Sequence, residues 1–122
     1  MHKTILIVDD EADTVKLLAL RLEKNGYKVI PCQSGVDALE AVKTQRPDLA
    51  ILDIHLPYMN GYEILERFRG NPTLHAMPVI FSTADAYVST KKTIRDHAAN
   101  DFVIKPYAAQ ELLRKIEKLI VA

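Results

Sequence analysis

Thr4-Ile5-Leu6-Ile7-Val8-Asp9-Asp10 is a run of five strand-forming residues that ends on two carboxylates. Three further stretches repeat the plan. Leu49-Ala50-Ile51-Leu52 runs into Asp53, Pro78-Val79-Ile80-Phe81 into Ser82-Thr83, and Phe102-Val103-Ile104 into Lys105-Pro106. Short apolar runs that alternate with helical spacing argue for repeated βα units and a parallel sheet. As neighbouring parallel strands they would bring their reactive ends to one sheet edge. Open α/β sheets place their ligands there. The edge would then gather carboxylates, a hydroxyl and an ammonium.

Between the runs the apolar spacing becomes helical. Val15, Leu18 and Leu22 recur at helical intervals, and Asn25-Gly26 is a natural stop. Lys28–Cys32 reads as the second strand. Pro31 inside it has no N–H for the ladder, which puts this strand at the sheet edge. Ser34 is placed to cap a second helix, with Asp37 three residues on and Leu39 and Val42 on its buried face. Pro47 ends the connection to the third strand. Asn60-Gly61 opens a third helix carrying Ile64, Leu65 and Phe68, and Gly70-Asn71-Pro72 closes it. Residues 86–98 read as a further helix with a thin apolar face of Val88, Ile94 and Ala98, the least firmly anchored of the set. The last helix carries Leu112, Leu113, Ile116, Leu119 and Ile120, and Ala108-Ala109 give it a poor N-cap. Only the second strand ends without a reactive residue, as an edge strand would. The expected fold is α/β, one domain over residues 1–122, with a doubly wound five-stranded parallel sheet in the order 2-1-3-4-5 and helices on both faces.

Composition narrows the function classes. The chain has 122 residues, 48% hydrophobic and 26% charged, an ordinary globular balance for one domain. Sixteen basic and sixteen acidic residues cancel, so no global field draws it to nucleic acid or to an anionic membrane. Neither partner is expected. Lys91, Lys92 and Arg95 read as a solvated helix face. The apolar runs are far shorter than a membrane span. Met1-His2-Lys3 leaves no room for a signal peptide, and the single cysteine, Cys32, cannot form an internal disulfide. The expected location is the cytoplasm, with Cys32 buried and inert.

The converging side chains limit the chemistry. Two carboxylates about 4 Å apart repel by roughly 4 kcal/mol at an effective dielectric near 20. Asp9, Asp10 and Asp53 together therefore call for a proton or a cation. An all-oxygen set suits Mg²⁺. Softer metals do not fit, since His2, His55, His75 and His97 are scattered and there is one Cys. A carboxylate such as Asp53 beside a metal can attack phosphorus to give an acyl phosphate. Lys105 supplies a compact positive charge, Thr83 a hydroxyl for a phosphoryl oxygen, and Ala84 leaves space. Thr83 is preferred to Ser82 for the hydroxyl, because strand alternation turns the two to opposite sides. No glycine-rich phosphate cradle is present.

These residues carry a family resemblance. The chain resembles the receiver domain of two-component response regulators over essentially its full length. The matching stretches are Ile5-Leu6-Ile7-Val8-Asp9-Asp10-Glu11, Asp53-Ile54-His55-Leu56-Pro57-Tyr58-Met59-Asn60-Gly61, Ser82-Thr83-Ala84 and Asp101-Phe102-Val103-Ile104-Lys105-Pro106. The resemblance implies a flavodoxin-like sheet, Asp53 as phosphoacceptor, and Asp9 and Asp10 as the acidic pair for Mg²⁺. The backbone carbonyl of His55 would complete the metal contacts. Thr83 matches the switch hydroxyl, Phe102 the switch aromatic, and Lys105 the functional lysine. Lys105-Pro106 matches a bond that is cis in the family. Ala98 stands where glycine is frequent, and Tyr107 where Phe is usual. His55 and Asp85 sit at positions that tune the lifetime of the phosphoryl group.

The implied partners are a histidine kinase or phosphotransfer protein upstream and a protein target downstream. The target would meet the surface of the 86–98 helix, the fifth strand and the last helix, with Tyr87, Lys91, Arg95, Gln110 and Arg114 as contacts. The domain is expected to be a monomer or a phosphorylation-dependent dimer, and to promote only its own phosphorylation and dephosphorylation rather than act as an enzyme. Two other classes share some of these features. A haloacid-dehalogenase-type phosphohydrolase would place its nucleophile after strand one and carry a cap domain. A flavodoxin-like FMN carrier would need a Ser/Thr/Gly-rich loop where Asp9-Asp10-Glu11 stands.

Overall fold

Five parallel strands make a single sheet in the order β2-β1-β3-β4-β5. The strands are β1 (Thr4–Val8), β2 (Lys28–Cys32), β3 (Leu49–Asp53), β4 (Val79–Thr83) and β5 (Asp101–Ile104). The computed structural model describes residues 2–84 and 98–120. The helices it describes are α1 (Ala12–Lys24), α2 (Gly35–Ala41), α3 (Gly61–Arg69) and α4 (Ala109–Ile120). The expected sheet order is the observed one, and β2, with Pro31 opposite Ile7, lies at the edge. The helix expected over residues 86–98 lies outside the described residues, except for its last residue. Ala98 is exposed with φ at 59°, so it cannot extend a right-handed helix as the apolar spacing suggested.

Alternation along the strands divides the core into two layers. Leu6, Val8, Ala50, Leu52, Val79 and Phe81 pack with Ala38, Ile64, Leu65 and Phe68 of α2 and α3. Ile5, Ile7, Leu49, Ile51, Ile80 and Val103 pack with Val15 and Leu22 of α1 and with Leu112, Leu113 and Ile116 of α4. The sheet is therefore covered on both faces, which is why its strands read as continuous apolar runs.

Local signals explain the element ends. Asn25 closes α1, and Gly26 follows with φ at +90°, a backbone shape that glycine adopts without strain. Ser34 Oγ accepts from Asp37 N at 3.0 Å at the start of α2. That helix is shorter than its spacing suggested. It stops at Ala41, its fully buried residues are Gly35 and Ala38, and Leu39 and Val42 are only half-buried. Asn60 and Glu63 form a reciprocal capping box at the start of α3. β4 reaches further than the apolar run, taking in Ser82 and Thr83 and leaving Pro78 outside.

Arg69 near the end of α3 ties distant loops together. Its guanidinium donates to the carbonyls of His75, Met77 and Ala98 and to Asn100 Oδ1. The carbonyl of Ala98, just before β5, is thus fixed from α3. Nothing local in the sequence marks this role, since the partners lie 6 to 31 residues away.

Candidate functional site

Asp9, Asp53 and Lys105 follow or end β1, β3 and β5, so their position comes directly from parallel alignment of the strands. Residue parity puts all three on the α1–α4 side: Asp9 continues Ile5 and Ile7, Asp53 continues Leu49 and Ile51, and Lys105 continues Val103. Lys105 Nζ donates to Asp9 Oδ2 at 2.7 Å and to Asp53 Oδ2 at 3.1 Å. The second oxygen of each carboxylate accepts a backbone N–H two residues on. Asp9 Oδ1 accepts from Glu11 N at 2.9 Å, and Asp53 Oδ1 from His55 N at 3.1 Å. Both carboxylates are buried, at 4% and 6% exposure, and both are held in a fixed orientation.

Asp10, by contrast, is exposed. One oxygen from each of Asp9, Asp10 and Asp53 lies within 4.8 Å of the others. The sequence expectation that these three converge is met. Three hard oxygens with an exposed side suit a hard dication that keeps part of its water, so the residues fit Mg²⁺. His55 contributes its backbone N–H to Asp53, and its side chain is exposed.

Electrostatics follow from this packing. Burial pushes the Asp53 carboxyl above its ordinary value, with Asp9 adding to the push, against the hydrogen bond and charge of Lys105. Burial also works against the Lys105 ammonium. The hydrogen bonds and charges of Asp9 and Asp53 outweigh it and hold that group above its ordinary value. The cluster is a small excess of negative charge organised around one cation.

Thr83 and Phe102 lie on the other side of the sheet. Thr83 is fully buried, continues the face of Val79 and Phe81, and pairs with Ile104. Phe102 is half-buried against the α2–α3 layer, opposite Phe81 in the ladder. Lys115 of α4 reaches round the edge strand, with Nζ 2.9 Å from Asp101 Oδ1 and 5.5 Å from the Phe102 ring centroid. Gln110 and Arg114 are exposed on α4. Asp85, Tyr87, Lys91 and Arg95 lie outside the described residues. The Lys105–Pro106 bond is cis. Cys32 is buried, and burial, with the charge of Asp37, pushes its thiol up to about 11.

Two residues near the cluster escaped the sequence reading. Ser82 and Thr83 do face opposite sides, but the ladder pairs Ser82 with Asp53, so Ser82 shares the face of the carboxylates. Tyr107, noted only as a departure from the family pattern, has a phenol pushed up by burial first and also influenced by Lys105, Asp9, Ser82 and Asp53. The register between β3 and β4 would have exposed the first; no local signal points to the second.

Comparison with known proteins agrees with this geometry. Residues 5–117 match the family model described as the response regulator receiver domain. Alkaline phosphatase synthesis transcriptional regulatory protein PhoP of Bacillus subtilis (strain 168) is 33% identical over 98% of this chain and 49% of its own length. The chain spans about half the length of the curated relatives it matches. A CheY-like response regulator receiver domain protein from Methanospirillum hungatei JF-1 superposes with a TM-score of 0.88 at 32% identity, covering 98% of this chain and 94% of that one. The receiver domain of sensor histidine kinase PA1611 from Pseudomonas aeruginosa PAO1, solved with a magnesium ion coordinated in its active-site cleft, gives 0.88 at 27% identity over 98% of each chain. Every strand end described above except Thr4 lies inside the matched stretch, and the chain belongs to the response regulator receiver domain family of two-component signalling.

Proposed function

We propose that residues 1–122 act as one phosphorylation-driven switch in which Asp53 takes a phosphoryl group from a phosphohistidine on a histidine kinase or phosphotransfer protein. The observation that carries this is the placement of Asp53: buried, aligned by the His55 N–H, bridged by Lys105 to Asp9, and within 4.8 Å of two further carboxylates. Asp9, Asp10, Asp53 and the His55 backbone carbonyl would hold Mg²⁺. When bound, that ion supplies the positive charge that offsets the carboxylates and the oxygens of the entering group. A carboxylate oxygen of Asp53 bonds to phosphorus as the bond to the imidazole nitrogen breaks, and the electron pair leaves with the imidazole. Lys105 exchanges its contact with Asp53 for a phosphoryl oxygen.

The hydroxyl of Thr83 then turns toward another phosphoryl oxygen, and Phe102 follows into the space released. The domain populates both arrangements beforehand, and the phosphoryl group favours one through its added contacts. The altered surface, including Gln110 and Arg114 of α4 with Tyr87, Lys91 and Arg95, meets a protein target or a second copy of the domain. His55 and Asp85 set the lifetime of the modified form by controlling water at phosphorus. Acetyl phosphate with Mg²⁺ tests the chemical step by intact-protein mass spectrometry. The wild type gains one phosphoryl group, EDTA prevents the gain, and Asp53→Asn does not gain it. An undiminished adduct on Asp53→Asn moves the acceptor elsewhere and ends this reading.

A further inference from the structure

Beside the carboxylates, on the α1–α4 side of the sheet, one hydroxyl stands without a role in the chemistry above. Ser82 lies across the β3–β4 ladder from Asp53 and is 3% exposed. Its Oγ closes no hydrogen bond of good geometry among the described residues, and the one group that interacts with it is the Tyr107 phenol. Buried hydroxyls are ordinarily paired, and an unpaired one is destabilising, so its retention calls for a reason. Lys105 gives a complementary observation. Its ammonium has three N–H donors, and its hydrogen bonds go to Asp9 Oδ2 and Asp53 Oδ2. Tyr107 brings a second hydroxyl to the same place, close enough for its phenol to sense both Ser82 and Lys105.

We propose that Ser82, backed by Tyr107, is a positioning residue for Lys105, its Oγ accepting an ammonium N–H once Asp53 carries the phosphoryl group. This rests on Asp53 being the phosphoacceptor. In the unmodified domain two carboxylates hold the ammonium between them. After transfer the Asp53 oxygen bonded to phosphorus is no longer a full anion. Asp9 alone would then draw Lys105 toward β1 and away from the group it must neutralise. A hydroxyl on the Asp53 side opposes that pull. Being neutral, it does so without taking the charge that the phosphoryl oxygens need. Thr83 does not serve here, because in the reading above its hydroxyl is engaged by a phosphoryl oxygen.

The test uses the whole chain with acetyl phosphate and Mg²⁺, following the adduct on Asp53 by mass spectrometry and stability by urea unfolding. Ser82→Ala is expected to slow adduct formation about tenfold or more, the worth of one hydrogen bond to a charged group. The Mg²⁺ concentration giving half-maximal rate stays unchanged. Its urea midpoint stays at or above the wild-type value, because an unpaired buried hydroxyl is removed. Ser82→Thr restores the rate, and Tyr107→Phe slows it about twofold, as expected of an indirect hydrogen bond. In a Lys105→Met background, Ser82→Ala changes nothing further. Joint loss of rate and stability in Ser82→Ala would mark a packing residue and overturn the proposal. So would an unchanged rate, or an equal slowing in the Lys105→Met background. A wild type that forms no adduct on Asp53 refutes the phosphoacceptor reading itself, a result separate from any of these.

Discussion

The two faces of the sheet meet the same edge with opposite chemistry. On the α1–α4 side, Asp9, Asp53, Ser82 and Lys105 put charged and polar groups at the strand ends, two of them joined through one ammonium. On the α2–α3 side, Thr83 and Phe102 stand over an apolar layer in which Phe81 packs edge-on against Tyr62 with ring centroids 5.3 Å apart. Adjacent residues of β4 thus alternate between the faces: Ser82 pairs with Asp53 across the ladder, and Thr83 takes the alternate position, paired with Ile104. A change in charge on one face can reach the other through a single peptide unit. The proposed switch would use that link, since a well-packed sheet does not deform gradually.

Cys32 tests how dry the α2–α3 face is, and gives the largest effect. With its thiol pushed up to about 11, the thiolate fraction at pH 8 is roughly 200-fold below that of an ordinary thiol near 8.5. Native-state alkylation by iodoacetamide should be slower than alkylation of the urea-unfolded chain by at least that factor. Comparable rates would show that this face opens freely to water. The same shift fixes a sign for stability. Between the ordinary thiol value and about 11, the folded chain keeps a proton that the unfolded chain releases, so stability falls as pH rises through that window.

Lys105→Met probes the other face. It leaves Asp9 and Asp53, both buried, without the cation that joins them. A loss of about 3 kcal/mol is expected in urea unfolding at neutral pH with EDTA present. Millimolar Mg²⁺ should return part of it. A variant as stable as wild type in EDTA would show that the bridge is not what holds the acid cluster together.

Strand ends made much of this arrangement legible from sequence. Apolar runs that stop on Asp9, Asp53 and Lys105 need only parallel alignment to bring those residues together, and Pro31 marked the edge strand. The division of labour between Ser82 and Thr83 was not legible. Alternation says that they differ, but which of them shares a face with Asp53 depends on the Asp53–Ser82 register, a pairing across 29 residues of chain. The reach of Arg69 to Ala98 and of Lys115 to Phe102 likewise depends on how helices lie on the sheet. Ala98 shows the converse failure, where a residue with good helical spacing takes a left-handed backbone because the chain must turn into β5.

Gly61 connects the two faces through the backbone of Asp53. A Cβ at this position would lie 2.6 Å from the Asp53 carbonyl oxygen and 2.9 Å from Ile54 Cα. Those are main-chain atoms that cannot swing aside. Gly61→Ala should therefore cost about 2 kcal/mol by displacing the start of α3 from the end of β3. It should also slow the proposed phosphorylation of Asp53, since that carboxylate is carried on the displaced strand end. Full stability with full rate would mean that α3 moves freely over the site.

Lys115 is where the separation of faces is weakest, and there the expected effect is smallest. It belongs to α4, on the carboxylate side, yet its ammonium pairs with Asp101 and lies over Phe102, on the side of Thr83. The pair is partly exposed, with side chains at 25% and 30%, so solvent screens it. Lys115→Met should cost only about 1 kcal/mol in urea unfolding. Its sharper consequence concerns Phe102. The ring is half-buried with a cation over it, and that contact is expected to favour its present position. Without it, NMR of the unmodified domain should show Phe102 resonances moved toward those of the phosphorylated wild type, because the equilibrium is biased with no phosphoryl group present. If Phe102 keeps its wild-type shifts in Lys115→Met, the ring is held by the α2–α3 layer alone, and the two faces communicate only through β4.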